Sequence, residues 1–268
     1  MKKKRLIPIL LLRNGWLVQS KQFKRYQNLG NPVSAVKRLS EWASDELIYL
    51  DISNNNTHDL RRDDLNHPNR GSIIEIIRDV SKVAFMPITV GGGIRTLLDI
   101  EKRLSSGADK VAVNTIALDD PHFVEGAAKE FGSQCIVVSI DVKEKDGTQI
   151  VVGRGGQQPT SHVPEEWAKT VELMGAGEIL LNSIDRDGMR TGYDIQLLNR
   201  VCNSVKIPVI ASGGVGEWAH FAEALEFTRV DAVAAANIFH YSDQSTFLAK
   251  KYLSERGLNV RKPYLFEI

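Results

Sequence analysis

Apolar residues along the chain gather into short, nearly continuous runs rich in leucine and β-branched residues. They cover residues 6–12, 46–52, 87–90, 110–114, 135–141, 178–182, 208–211 and 231–237. A strand with one wet face alternates apolar and polar positions, whereas a parallel strand buried on both faces does not. These runs read as the second kind. Between them apolar residues recur at helical spacing, over 32–44, 97–106, 121–131, 164–174, 195–204 and 219–227. Repeated alternation of strand and helix, eight times over, favours a closed barrel over an open sheet. The predicted fold is therefore α/β, a single (β/α)8 TIM barrel spanning residues 1–268.

The two halves of the chain also resemble each other. Met86-Pro87-Ile88-Thr89-Val90-Gly91-Gly92-Gly93 is echoed by Ile207-Pro208-Val209-Ile210-Ala211-Ser212-Gly213-Gly214. Asp45-Glu46-Leu47-Ile48-Tyr49-Leu50 is echoed by Gly177-Glu178-Ile179-Leu180-Leu181-Asn182, and Ala108 to Asn114 by Val230 to Ala236. Offsets of about 120 to 130 residues place each echo four strands later, the signature of a repeated half-barrel. Two polar stretches break the rhythm. Residues 53–72 read as a long loop or lid after the second strand. Residues 144–164 follow the fifth strand and hold the turn signal Lys145-Asp146-Gly147. Both belong to the C-terminal face, where barrels keep their active sites.

Composition changes this picture little. The chain is 43% hydrophobic and 25% charged with a net charge of +1, so no global field draws it to nucleic acid or membrane. Cys135 and Cys202 lack metal-ligand spacing and read as reduced thiols of a cytoplasmic protein. The basic start followed by Leu6-Ile7-Pro8-Ile9-Leu10-Leu11-Leu12 is too short for a secretory segment and reads as the first strand. The six histidines are scattered, and no metal site or cofactor is expected.

Candidate chemistry sits at strand ends. Gly91-Gly92-Gly93 and Ser212-Gly213-Gly214 leave backbone N–H groups open to an anion, with Asn114-Thr115 and Asn237 beside them. Either turn alone is equally readable as a tight connection. Two symmetric turns suggest a ligand with two phosphates, or an elongated one. Asp141 ends the fifth strand and is the candidate general acid or base; Asp51 and Asp187 are further carboxylates, each readable as a cap. The repeat places Leu11 opposite Asp141, so one carboxylate stands where symmetry would place two. Arg5, Glu46, Lys110 and Glu178 begin strands, and the period of two puts Arg5, Lys110 and Glu178 on the faces of Leu11, Asn114 and Asn182. From spacing alone they form either a paired ring closing the barrel floor or four solvated rim residues.

These stretches, with Ser183-Ile184-Asp185-Arg186-Asp187-Gly188, Gly192-Tyr193-Asp194 and Gly175-Ala176-Gly177-Glu178, resemble HisF, the cyclase subunit of imidazole glycerol phosphate synthase, over nearly the whole length. The resemblance implies a HisH-like glutaminase partner and ammonia carried through the barrel past a gate matching Arg5, Glu46, Lys110 and Glu178. It implies phosphate sites at Gly93, Asn114 and Thr115 on one side and at Asp187, Gly188, Gly214 and Ala236 on the other. Its second catalytic aspartate matches Asp141, and its first matches Leu11.

Departures gather at the catalytic face. Leu11 cannot transfer a proton, Gln19 replaces an expected lysine although Lys21 is near, Asn237 replaces a serine, and Asn182 replaces a threonine. The pattern resembles a branch with a Leu-Leu-Leu strand end that serves bacterial surface-polysaccharide pathways, where an acetamido group on a nucleotide-linked sugar becomes acetamidino. That chemistry implies a separate ATP-using amidotransferase as a further partner. The alternatives are an authentic cyclase of histidine biosynthesis and a non-catalytic scaffold that conducts ammonia.

Overall fold

The computed structural model describes residues 2–53, 58, 70–240 and 245–264. Its strands are β1 (Arg5–Arg13), β2 (Trp16–Lys21), β3 (Arg25–Gly30), β4 (Leu47–Asp51), β5 (Ile88–Gly91), β6 (Lys110–Val113), β7 (Ile136–Lys145), β8 (Thr148–Gly153), β9 (Gln158–Pro159), β10 (Glu178–Ser183), β11 (Val209–Ser212) and β12 (Ala232–Ala235). Its helices are α1 (Pro32–Glu41), α2 (Ile73–Val80), α3 (Leu97–Ser105), α4 (Thr115–Asp119), α5 (His122–Phe131), α6 (Pro164–Leu173), α7 (Ile195–Ser204), α8 (Trp218–Phe227) and α9 (Thr246–Glu255).

Strands β1, β4, β5, β6, β7, β10, β11 and β12 pair in parallel in that order, and β12 pairs back onto β1 through Arg5 to Pro8. The ring is closed, as the apolar runs predict. Alternation along each strand divides the core in two. Ile7, Ile9, Leu11, Ile48, Ala112, Val137, Leu180, Ile210, Ala232 and Ala234 fill the barrel interior. Leu6, Leu10, Leu12, Leu47, Tyr49, Val111, Val138, Ile179 and Val209 pack outward against the helices. Both faces are dry, which is why the strands read as continuous apolar runs. Fully burying one such side chain is worth roughly 1.5–3 kcal/mol.

Side chains at several helix entries hold the loops in place. Asn31 accepts from Val33 ahead of Pro32, Ser72 caps α2, and Thr96 and Asp99 form a reciprocal capping box at α3. The predicted turn at Asp146-Gly147 joins β7 to β8 with both residues at positive φ, and β9 extends this antiparallel flap.

Two sequence expectations shift, and one element is new. Cys135 lies in a 3-10 turn ahead of β7 rather than in the strand. Asn114 and Asn237 stand just beyond their strands, opening α4 and a second 3-10 turn. A hairpin that the apolar pattern did not reveal, β2–β3, follows β1. Asn14 (φ 53°) and Gly15 (φ 83°) make the turn that leads from β1 into it, a geometry that Asn-Gly pairs favour. The expected lid at 53–72 lies mostly outside the described residues.

Candidate active site

Four charges close the barrel floor. Arg5 donates to Glu46 Oε1 at 2.5 Å and to Glu178 Oε1, while Lys110 reaches Glu46 Oε2 at 3.1 Å and Glu178 Oε2 at 3.0 Å. Each cation touches both acids, so the ring is neutral and every charge is paired. Such pairing is what makes charges at a barrel floor tolerable. Burial pulls the Arg5 guanidinium pKa down, but hydrogen bonds and charge from Glu178, then Glu46, outweigh it and hold it above its ordinary value. Of the two readings that spacing leaves open, the paired ring is the one built.

At the opposite end a cavity of about 1140 Å³ opens. It is lined by every predicted mouth residue: Gly92, Gly93, Asn114, Thr115, Asp141, Asp187, Gly188, Gly213, Gly214, Ala236 and Asn237. Leu11, Leu50 and Ile52 make one wall apolar, while Asn114, Ser139, Asp141, Asn182 and Ser212 make the facing wall polar. This fits a ligand with an apolar patch on one side and polar groups on the other.

Asp141 lies on the polar wall, 8% exposed. Asn114 Nδ2 donates to one of its oxygens at 3.3 Å and Asn182 Nδ2 to the other at 3.4 Å. Burial pushes the carboxyl up to about 7, against the Asn182 bond and with the help of the Asp187 charge. Burial also pushes Asp187 up to about 6, against a 2.8 Å bond from Ser20 Oγ. Two carboxyls near neutrality at one mouth are suited to moving protons at physiological pH. Leu11, 6% exposed and backbone-paired with Val18 and Leu50, offers no such group.

Asp51 is committed elsewhere. Its Oδ1 accepts from Ser53 N at 2.9 Å and its Oδ2 faces His58 Nε2 at 3.3 Å. Burial alone would raise its pKa, but the His58 and Ser53 bonds overcome this and lower it. It anchors the start of the following loop.

The glycine turns are steric necessities. A Cβ on Gly92 (φ 98°) would lie 1.9 Å from the Asp51 carbonyl oxygen, and one on Gly214 (φ 109°) 2.1 Å from that of Gly192. Neither turn opens its helix directly: α3 is capped by Thr96 and α8 follows Glu217. The elements that begin beside the turns are α4, after Asn114, and the 3-10 turn at Asn237.

The hairpin β2–β3 folds over the second turn. Asn237 Nδ2 donates to the Ser20 carbonyl at 2.6 Å, its Oδ1 accepts from Ser20 N at 3.3 Å, and Gln22 N donates to the Asp187 carbonyl at 3.0 Å. The hairpin brings Ser20, Lys24 and Tyr26 to the cavity, which Arg13 at the end of β1 also lines, its guanidinium 4.6 Å from the Tyr26 ring centre. Neither Gln19 nor Lys21 lines it; Gln19 bonds Gln27 across the hairpin. Arg95 and Arg154 complete a basic rim that the sequence reading passed over. The Asn14-Gly15 pair was the one available signal for the hairpin.

Among the described residues no group of three or more His, Cys, Asp or Glu could hold a metal ion, and no helix is long and apolar enough to cross a membrane. A family model described as histidine biosynthesis protein matches residues 5–245.

Proposed function

Because the chain belongs to the histidine biosynthesis protein family, whose TIM-barrel members are enzymes, we propose that it is the ammonia-accepting synthase subunit of a glutamine amidotransferase complex. In this reading a HisH-like glutaminase docks on the N-terminal face. Arg5, Glu46, Lys110 and Glu178 gate ammonia into the barrel, and an acceptor waits at the mouth. The single observation that carries the reading is the four-membered charge ring at one end of an apolar lumen whose other end holds Asp141. Phe85, Leu173 and Phe227, exposed at 74%, 82% and 64% shortly before β5, β10 and β12, supply apolar docking area around that ring.

Neutral ammonia crosses an apolar lumen more readily than ammonium, since an unpaired charge there is costly. The ring must open a path without stranding a charge, and its double pairing lets one cation swing while the other still holds both acids. At the mouth, Asp141 takes or gives the proton. Gly92, Gly93, Asn114 and Thr115 form one phosphate subsite, and Asp187, Gly188, Gly213, Gly214, Ala236 and Asn237 line the other.

The acceptor we favour is a nucleotide-linked sugar amidinated in surface-polysaccharide synthesis, with an ATP-using amidotransferase as a further partner. Leu11 supports this, because it removes an acid from the mouth while the ring is intact. The second reading is the authentic cyclase of histidine biosynthesis, favoured by Asp187, whose raised pKa beside Asp141 offers a substitute second acid. Purified protein is to be assayed with the histidine-pathway ribonucleotide and ammonium salt. The favoured reading expects no significant turnover; robust turnover there replaces it with the second. A barrel that conducts ammonia without chemistry would retain full partner-coupled activity in Asp141→Asn.

A further inference from the structure

Arg103 stands on α3, behind the first glycine turn, and is only 4% exposed. Its NH2 group donates to the Gly92 carbonyl at 2.8 Å and its NH1 group to the Asp99 carbonyl at 2.9 Å, while the buried Nε has no partner. No described carboxylate forms an ion pair with it. The two nearest acids by charge, Asp99 and Asp51, are already committed. Asp99 accepts from the backbone of Arg95 and Thr96, and Asp51 from Ser53 and His58.

A buried cation without a counter-charge is expensive, and hydrophobic residues commonly replace such groups at no loss of stability. The second half of the barrel has done so: the position matching Arg103 on α8 is Ala224, fully buried. The charge at 103 therefore calls for an explanation other than packing.

The geometry supplies one. In a trans peptide the carbonyl of one residue and the N–H of the next point in opposite directions. Arg103 draws the Gly92 carbonyl toward α3, so the Gly93 N–H faces away from the helix, on the cavity side. That N–H has no protein acceptor among the described residues, and Gly93 lines the mouth.

We propose that Arg103 is a positioning residue of an anion subsite at Gly93: it fixes the 92–93 peptide with its N–H toward the mouth and holds beneath it a positive charge that a ligand's phosphate group neutralises. This rests on reading the Gly92-Gly93 turn as a phosphate subsite, and it makes the two subsites unequal. The first has a cation behind it; the second has the Asp187 carboxyl beside it and the hairpin across it.

The test uses the whole chain labelled with 15N-glycine and titrated with inorganic phosphate, the Gly93 amide signal being identified by its loss in Gly93→Ala. Arg103→Met is expected to raise the phosphate concentration for half-shift of the Gly93 signal about tenfold, and Arg103→Lys about threefold. The response of Gly214, identified in the same way, should be the same in both variants as in the wild type. A role in packing alone would move the melting temperature and leave these midpoints where they are. A wild-type midpoint at Gly93 in Arg103→Met, or in Arg103→Lys if the former does not fold, overturns the assignment and leaves the subsite standing. Absence of any phosphate-dependent shift of Gly93 in the wild type removes subsite and assignment together.

Discussion

Asn182 donates its side-chain amide to Asp141 Oδ1 at 3.4 Å, yet this bond does not undo the effect of burial on that carboxyl, which stays near 7. A folded-state pKa raised above the unfolded value means that the folded protein keeps a proton the unfolded chain has lost. Between about pH 4 and 7, stability should therefore fall as pH rises, and the slope should vanish above the folded pKa. Asp187, near 6, adds to the lower part of the same window. Thermal melts across pH 4–8 should show Asp141→Asn gaining on the wild type through this window and levelling off above it. In carboxyl-carbon NMR, Asp187→Asn should lower the Asp141 midpoint, because the Asp187 charge helps to raise it.

Lys110 touches both acids of the floor, at 3.1 and 3.0 Å, and is itself about one-fifth exposed. Lys110→Ala leaves Glu46 and Glu178 to share Arg5, which should cost about 1–3 kcal/mol, less than a fully buried pair because water reaches the ring. If the ring gates ammonia, product formed from glutamine should drop while product formed from added ammonium salt is unchanged. Parallel loss of both activities would point instead to general damage to the barrel.

The barrel was legible because each of its strands is dry on both faces, so Leu6 to Leu12 or Ile179 to Leu181 cannot be mistaken for surface. The hairpin was not, because Arg25, Gln27 and Asn28 are exposed and follow no apolar alternation. Asn14-Gly15 carried the same turn signal as Asp146-Gly147, but the apolar run on its far side, Trp16-Leu17-Val18, is only three residues long and gives way to polar Gln19-Ser20-Lys21. Strand parity showed that Arg5, Lys110 and Glu178 could face inward; that they meet Glu46 depends on the stagger between strands, which parity does not specify. Arg103 was hidden for another reason. In Glu101-Lys102-Arg103 it looks like one more solvated charge, and only packing shows that the third of them turns inward.

Leu11 occupies the position opposite Asp141 with its side chain among Val18, Leu50 and Ile9, on the apolar wall. Leu11→Asp tests whether this one exchange silences histidine-pathway chemistry. Restoring an acid–base group is expected to raise cyclase turnover by about 10²–10⁴-fold if the rest of the mouth still fits that substrate. The same change buries a carboxyl beside apolar neighbours and should cost several kcal/mol when ionised, less as far as water reaches it from the cavity. The variant should therefore melt lower at pH 7 than at pH 5 relative to the wild type. No gain of turnover in a folded variant would show that the acceptor site has diverged beyond position 11.

Asn237 grips the Ser20 peptide from both sides, donating to its carbonyl and accepting from its N–H, as a neighbouring strand would. A serine there is too short to make both bonds. Asn237→Ser should therefore loosen the tip of β2–β3 without disturbing the barrel, costing about 1 kcal/mol for bonds that water can partly replace. Hydrogen exchange should speed up across residues 16–30 and stay the same in β10–β12. If the hairpin excludes ligands from the turn at Gly213 and Gly214, the same variant should let inorganic phosphate shift the Gly214 amide at lower concentration than in the wild type. Faster exchange without that shift would mean that the hairpin is held by Asn237 but does not obstruct the second subsite.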